Sequence, residues 1–491
     1  MLTFLSAIIT LVIGYFIYGR FIERFFGADN SIKTPAVRLK DGVDFIPMPR
    51  WKMFTIQFLN IAGLGPIFGA ILGAMYGPIA YIWIVFGCIF MGAVHDYFSG
   101  MLSIRNDGAS LPEIVGKYLG LPAKVILAII TFVLLIMVGV AFVTGPAGLL
   151  KDLTGGGLHY WLYGIFGYYL IATLLPINKI IGKIYPIFGA ALLIMAFSIA
   201  GVMVYNGFND SFHLSELSIG QLKNMHTNPT QNILYPMMFI VISCGAISGF
   251  HSTQSPMMAR CMRKESYGRP VFFGAMIAEG IVAIIWATAA MNYFGNATDL
   301  NNTIVSGHNP AWVVNEICNT WLGQVGAIFA IVGVIACPIT TGDTAFRSAR
   351  LMIADFFKLE QKSLKSRLLV SIPLFVLGFT LSQLSFGTIW KFLGLFNQLL
   401  SMVMLWTAAM YLVEKKKNHF IISLPATFMT AICATFILVA PNKNGGFESD
   451  TLIGYSVGII IAVLVLFWFL FVAKRVVRNS NKELTPTYIT K

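Results

Sequence analysis

Charge is what this sequence has least of. Asp, Glu, Lys and Arg make up 11% of its 491 residues, against about a quarter in an ordinary water-soluble domain, so most of the chain cannot face water. Cysteine is scarce as well. Cys88, Cys244, Cys261, Cys318, Cys337 and Cys433 are scattered without a CxxC or Cys/His spacing, which argues against a disulfide framework and a structural metal. Acidic residues number 21 against 34 Lys and Arg. On a soluble protein that excess would suggest nucleic acid, but here the basic residues sit in short connections between apolar runs and report topology instead. The N-terminal apolar run has no basic residue ahead of it and no small-residue cleavage site behind it, which points to a retained helix and not a signal peptide. Clustered His, Asp or Glu with acid–base spacing is also missing, which argues against an embedded enzyme.

What the sequence has in quantity is apolar side chains, 57% of the total. A spanning helix needs about 20 mostly apolar residues. Thirteen segments qualify: 2–19, 53–76, 79–103, 123–145, 160–176, 184–205, 233–257, 270–292, 323–343, 367–384, 389–413, 419–440 and 453–473. Thirty of the 34 basic residues follow odd-numbered segments, and only Lys151, Lys223, Lys391 and Lys443 fall on the other side. The positive-inside rule therefore places the N-terminus outside and the C-terminus in the cytoplasm, as expected for a multi-pass bacterial inner-membrane protein.

Two segments carry helix breakers at depth. The second contains Asn60-Ile61-Ala62-Gly63-Leu64-Gly65-Pro66, and the seventh contains Ser243-Cys244-Gly245-Ala246-Ile247-Ser248-Gly249 followed by His251-Ser252-Thr253-Gln254-Ser255-Pro256. Interrupted backbone in lipid must face protein, water or a ligand. Segments 2 and 7 run in opposite directions five spans apart, the pattern of an inverted repeat with a binding site at the midplane. The expected fold is all-α, a LeuT/APC-like 5+5 inverted repeat with one extra N-terminal and two extra C-terminal helices. Its parts are 1–48 (first helix and loop), 49–205 (first repeat), 231–413 (second repeat), 414–476 (two last helices) and 477–491 (tail).

Substrate-facing candidates are Gln57, Asn60, Gly63 and Gly65 at the first break, and Ser248, His251, Thr253 and Gln254 at the second. The competing account of the second set is an interfacial loop beginning near Phe250, because Arg260 follows closely. Asp96 and Glu279 are the acidic side chains clearly inside predicted spans, and an intramembrane carboxyl costs on the order of 3 kcal/mol. Glu279 is the candidate carrier of a coupling proton, with a permanently protonated structural acid as the alternative. Asp96 either gates the inner side by pairing with Arg105 or Arg347, or forms a static pair; His95 is expected to be a hydrogen-bonded structural histidine. Thr340 and Thr341 end the ninth segment ahead of Asp343. With free carbonyls near Ala62 they could bind Na⁺, or they could simply cap the helix. Asn397 and Gln398 are expected to be interhelical hydrogen-bond partners. No cofactor is expected beyond the coupling ion, H⁺ or Na⁺.

Pro49-Arg50-Trp51-Lys52, Ile61-Ala62-Gly63-Leu64-Gly65-Pro66-Ile67, Arg105-Asn106-Asp107-Gly108-Ala109-Ser110-Leu111-Pro112-Glu113, Gly249-Phe250-His251-Ser252-Thr253-Gln254-Ser255-Pro256, Thr340-Thr341-Gly342-Asp343-Thr344-Ala345 and Phe396-Asn397-Gln398-Leu399-Leu400 resemble the carbon starvation protein A family. The chain looks like a compact form of it. That resemblance implies a symporter of the APC superfamily taking up pyruvate or short peptides during carbon limitation. A passive channel would instead show repeated filter segments or charged rings. A sensor would show more than a short basic tail.

Overall fold

The computed structural model describes residues 1–42, 45–174, 177–209, 212, 214–359, 363–384 and 386–483. The end of the predicted tail, 484–491, lies outside the described residues, as do 175–176 at the close of the fifth predicted span. Helices follow one another almost without interruption. They are α1 (Leu2–Phe26), α2 (Arg50–Ile61), α3 (Gly65–Ala74), α4 (Ala80–Arg105), α5 (Leu121–Lys151), α6 (Leu158–Leu174), α7 (Ile187–Phe208), α8 (Phe239–Val241), α9 (Phe250–Ala259) and α10 (Glu265–Tyr293). After these come α11 (Pro310–Ala330), α12 (Cys337–Phe356), α13 (Leu364–Leu381), α14 (Ile389–Glu414), α15 (Phe420–Val439) and α16 (Thr451–Arg478).

Helical structure lies over each of the thirteen predicted segments. Nine helices among the described residues are long and apolar enough to cross a membrane, or ten when the bent pair α2 and α3 counts as one span. The expected thirteen therefore narrows by that criterion. The fifth helix, α6, has 17 residues, the seventh segment is divided between α8 and α9, and α11 is kinked where Gly323 departs from helical backbone.

Burial separates the bundle's centre from its rim. In their most apolar 18-residue stretches, 83% of the residues of α10 and 78% of those of α4 are buried, against 22% in α13 and α16, which turn Leu369, Val376, Leu464 and Phe467 outward. In lipid an outward Leu or Phe costs nothing, so helix association depends on close packing and internal hydrogen bonds instead.

Each predicted break is present, and local chemistry accounts for it. α2 ends at Ile61 and α3 restarts at Gly65 with a 47° bend. Pro66 falls in the first turn of α3, where its missing N–H leaves no bond unmade. α8 stops at Val241, and Gly245 sits at φ +89, a backbone that a side chain would strain. A Cβ there would also lie 2.5 Å from Ala283. The two breaks touch, since a Cβ on Gly65 would come 2.4 Å from Cys244 Sγ.

The seventh segment does not end near Phe250. α9 continues to Ala259 with His251, Ser252, Gln254 and Ser255 buried, so the interfacial-loop account is set aside. The ninth segment likewise continues: α12 runs on to Phe356, which places Thr340, Thr341 and Asp343 within a helix and not at its terminus. Opposite the basic loops, the segment around 224–232 covers the end of α3. There Met225 N–H donates to Tyr76 O at 3.2 Å and Asn301 Nδ2 donates to Met75 O at 2.8 Å.

Candidate functional site

α4, α9 and α10 bring three predicted residues from distant parts of the chain into one line. Asp96 Oδ2 lies 2.8 Å from His251 Nδ1, and its Oδ1 lies 2.8 Å from His95 Nδ1. On the far side of the imidazole, His251 Nε2 faces Glu279 Oε2 at 3.3 Å. All four side chains are fully buried. With a carboxylate on Nδ1, the neutral His251 ring keeps its proton there and presents the Nε2 lone pair to Glu279. Two acceptors then face each other at 3.3 Å, with the Gly245 backbone beside Glu279 and the Cys244 side chain beside His251. Such an arrangement favours a cation between them.

The partners of Asp96 correct the expectation of an arginine gate. Arg105 instead pairs through two nitrogens with buried Glu265, at 2.7 Å for its second contact, and Asp29 N–H also donates to Glu265 at 2.8 Å. Arg347 donates to Ala172 O at 2.8 Å and lies 3.5 Å from Asp343, one turn earlier on α12.

The start of α9 is held by α14. Asn397 Oδ1 accepts from Phe250 N–H at 2.7 Å and from Ser248 Oγ at 3.1 Å, and Asn397 O accepts from Gly249 N–H at 3.2 Å. A side-chain acceptor at a helix N-terminus contributes about 1 kcal/mol, and more where lipid offers no substitute. Gln398 Nε2 donates to Phe239 O at 3.1 Å, satisfying a carbonyl of α8. Both residues thus serve as the interhelical partners expected of them, and Ser248 belongs to the same support.

Gln57 and Asn60 lie three residues apart on α2, just before the first break. Both are fully buried, and all four of their amide atoms are without a hydrogen-bond partner among the described residues. Buried amides in this condition cost about 1–3 kcal/mol each unless something binds them. Gln254 Nε2 donates to Thr253 Oγ1 at 2.9 Å, while its Oε1 is unpartnered among the described residues. Thr253 is half-buried and borders a cavity of about 240 Å³ that also meets Ser110, Thr131, Met257, Arg260 and Met352.

Near Ala62 the second expected group is partly assembled. Thr341 Oγ1 is 3.5 Å from Leu59 O and 3.1 Å from Cys337 O, and a Cβ on Gly63 would lie 3.2 Å from that hydroxyl. Thr340 Oγ1 turns back to Cys337 O at 2.6 Å. Asp343 is buried further along α12 with Oδ1 unpartnered among the described residues.

Two contributors escaped the sequence reading. Cys244 joins His251 and Glu279 in a group whose donor atoms all lie within 4.8 Å of one another, the set here that could hold a metal ion. Its signal was its place beside Gly245, at the break itself. Asn397 was read as a partner but not as a helix cap, because its target lies 147 residues away.

Broken helices meeting at a buried polar cluster in an apolar bundle have counterparts in solved transporters. Mhp1, a nucleobase-cation-symport-1 family transporter in a closed conformation with bromovinylhydantoin bound, aligns with a TM-score of 0.53 at 15% identity, over 87% of this chain and 92% of its own. A substrate-bound, outward-open Na⁺-coupled sialic acid symporter gives 0.50 at 13% identity, over 94% and 97%. The fold is therefore of the LeuT-like class.

Within that class the chain belongs to the family of carbon starvation protein CstA, whose family model matches residues 1–154, 147–322 and 311–436. It is similar to an uncharacterized membrane protein of Haemophilus influenzae, 43% identical over 62% of this chain and 95% of that one. It is similar to the peptide transporter CstA of Bacillus subtilis, 25% identical over 98% and 97%. It is similar also to the pyruvate/proton symporter BtsT of Escherichia coli, 26% identical over 58% of this chain and 48% of that protein.

Proposed function

We propose that this chain is a cation-coupled symporter that imports a small organic nutrient, pyruvate or a short peptide, across the bacterial inner membrane in response to carbon starvation. The observation that carries this reading is the facing of His251 Nε2 and Glu279 Oε2 at 3.3 Å, two buried acceptors that need a cation between them. A proton meets that need at least cost in space, and Asp96 holds the imidazole in the orientation required to take or pass it. Glu279 and Asp96 therefore carry coupling. Gln57 and Asn60, with the unwound backbone at Gly63 and the helix start at Gly65, face the solute together with Gln254 and Thr253. Relatives named as a peptide transporter and a pyruvate/proton symporter support this range of solutes.

Segments 49–205 and 231–413 act as inverted halves, with 1–48 ahead of them and 414–476 behind. The basic loops face the cytoplasm, with the N-terminus outside. On that topology the 240 Å³ cavity beside Thr253 and Arg260 opens inward and serves as the exit.

A sodium-coupled version draws support from a separate observation, the approach of Thr341 Oγ1 to Leu59 O at 3.5 Å beside the unwound Ala62. Thr340 and Asp343 would complete that oxygen-rich neighbourhood. Uptake into proteoliposomes separates the readings. Labelled pyruvate, dipeptide and tripeptide are compared under imposed proton or sodium gradients. Uphill accumulation of one solute with one gradient supports the symporter, and its identity selects the ion. Flux that only equilibrates would make the protein a channel, and no flux of any of the three would remove the substrate claim.

A further inference from the structure

We infer that Cys244, His251 and Glu279 form a binding site for a divalent transition-metal ion of the zinc type. The inference goes beyond the transport reading and does not depend on which solute moves: the ion takes the two atoms that the coupling proton would share and competes with it there.

Four observations converge on it. The three donors are a thiol, an imidazole nitrogen and a carboxylate, each buried, and their ligand atoms lie within 4.8 Å of one another. Sulfur in the set disfavours Na⁺ and Mg²⁺ and favours Zn²⁺ or its neighbours. Tetrahedral zinc, with bonds of about 2.0–2.1 Å to N and O and about 2.3 Å to S, sets N···O edges of about 3.3 Å and S···N edges of about 3.6 Å. The His251–Glu279 edge is already 3.3 Å. Closing the triangle from within 4.8 Å takes a movement of at most about 1.2 Å at Cys244, whose present contacts, with Ser248 Oγ and Asn397 Nδ2 at 3.7 Å, are weak.

The surroundings also fit. Asp96 bonds His251 Nδ1 at 2.8 Å and is itself held by His95 at 2.8 Å. That is how a metal-bound histidine is oriented, with a carboxylate behind it and the other nitrogen free to ligate. Around His251 and Glu279 the close polar groups are the Gly245 backbone, beside Glu279, and Cys244 itself, beside His251, so the third proposed ligand already adjoins the imidazole. Three protein ligands leave a fourth tetrahedral position for water or a solute carboxylate. On binding, the Cys244 thiol proton leaves to the buffer, together with any proton held by Glu279, and the sulfur bonds the ion as thiolate.

The test uses the purified full chain in detergent, titrated with Co²⁺ as a spectroscopic probe and then with Zn²⁺ in competition. One ion per chain with a thiolate-to-cobalt charge-transfer band is expected, displaced by Zn²⁺. Cys244→Ser should abolish that band and weaken binding roughly tenfold or more, and Glu279→Gln should weaken it to a similar degree while retaining the band. Cys433→Ser, in α15, should change neither. X-ray absorption of the zinc-loaded wild-type chain guards against a misfolded variant: one sulfur at about 2.3 Å among N and O ligands supports the site. A wild-type chain with no stoichiometric binding, a shell of N and O only, or an unaltered band in Cys244→Ser would each overturn it. Because uptake is not measured, such a failure leaves the symporter reading standing.

Discussion

Glu279 Oε2 stands 3.3 Å from His251 Nε2, with both side chains fully buried. Both residues follow the second break, His251 on the half-helix α9 that starts from it and Glu279 on α10, the next helix. Any rearrangement at the break must change their separation, which links cation occupancy to the shape of the site.

Asp96 fixes which nitrogen of His251 faces Glu279. Asp96→Asn keeps the shape but removes the charge that holds the Nδ1 proton, and gradient-driven accumulation should fall by roughly 10–100-fold. Thermal unfolding should change little by comparison. Uptake equal to wild type would remove Asp96 from the coupling machinery.

Gln57 and Asn60 offer a separation of stability from function. Each is buried with both amide atoms unpartnered, so Gln57→Leu or Asn60→Leu should leave the solute-free protein as stable or raise it by about 1–2 kcal/mol. Solute affinity should drop at least roughly tenfold in the same variants. Unchanged affinity would place the solute elsewhere.

Asn397 anchors the second half-helix. Asn397→Ala removes the acceptor at 2.7 Å from Phe250 N–H and 3.1 Å from Ser248 Oγ. A loss of about 2 kcal/mol in unfolding free energy is expected, with Asn397→Asp recovering most of it because an acceptor is restored. Equal stability of the alanine variant would show that α9 does not need this cap.

The loop over α3 should respond to pH through His226. Burial against Tyr76 pushes its imidazole down to about 4 from the ordinary 6.5, with Lys391 adding to the effect. Nδ1 accepts from Asn228 N–H at 3.1 Å, which requires the neutral ring. The unfolded loop therefore binds more protons between those values. The docked loop keeps its full stability above about pH 6.5 and loses it as pH falls towards 4. Hydrogen-exchange protection factors of residues 224–232, corrected for the intrinsic pH dependence of amide exchange, should fall over that window, and His226→Gln should flatten the dependence.

How much of this was legible beforehand varied with the range of the forces involved. Hydropathy and the basic loops located the helices because lipid acts on each segment separately. Gly63, Gly65, Pro66 and Gly245 marked the breaks because backbone limits are local. Asp96, His251 and Glu279 were each picked out as costly buried groups, but their alignment was not visible, since His251 is 155 residues from Asp96. An arginine was the natural partner to expect for Asp96. The fold gave Arg105 to Glu265 instead. Thr340 and Thr341 were misplaced at a helix end because hydropathy falls after Ile339, whereas buried ion pairing by Arg347 carries α12 onward.

The most direct measurement is gradient-driven accumulation set against exchange in proteoliposomes carrying Glu279→Gln. This variant should still exchange labelled for unlabelled solute at a comparable rate but no longer accumulate it against its gradient, because a neutral amide cannot carry the cation that Glu279 shares with His251. Accumulation equal to that of the wild-type chain would contradict the account.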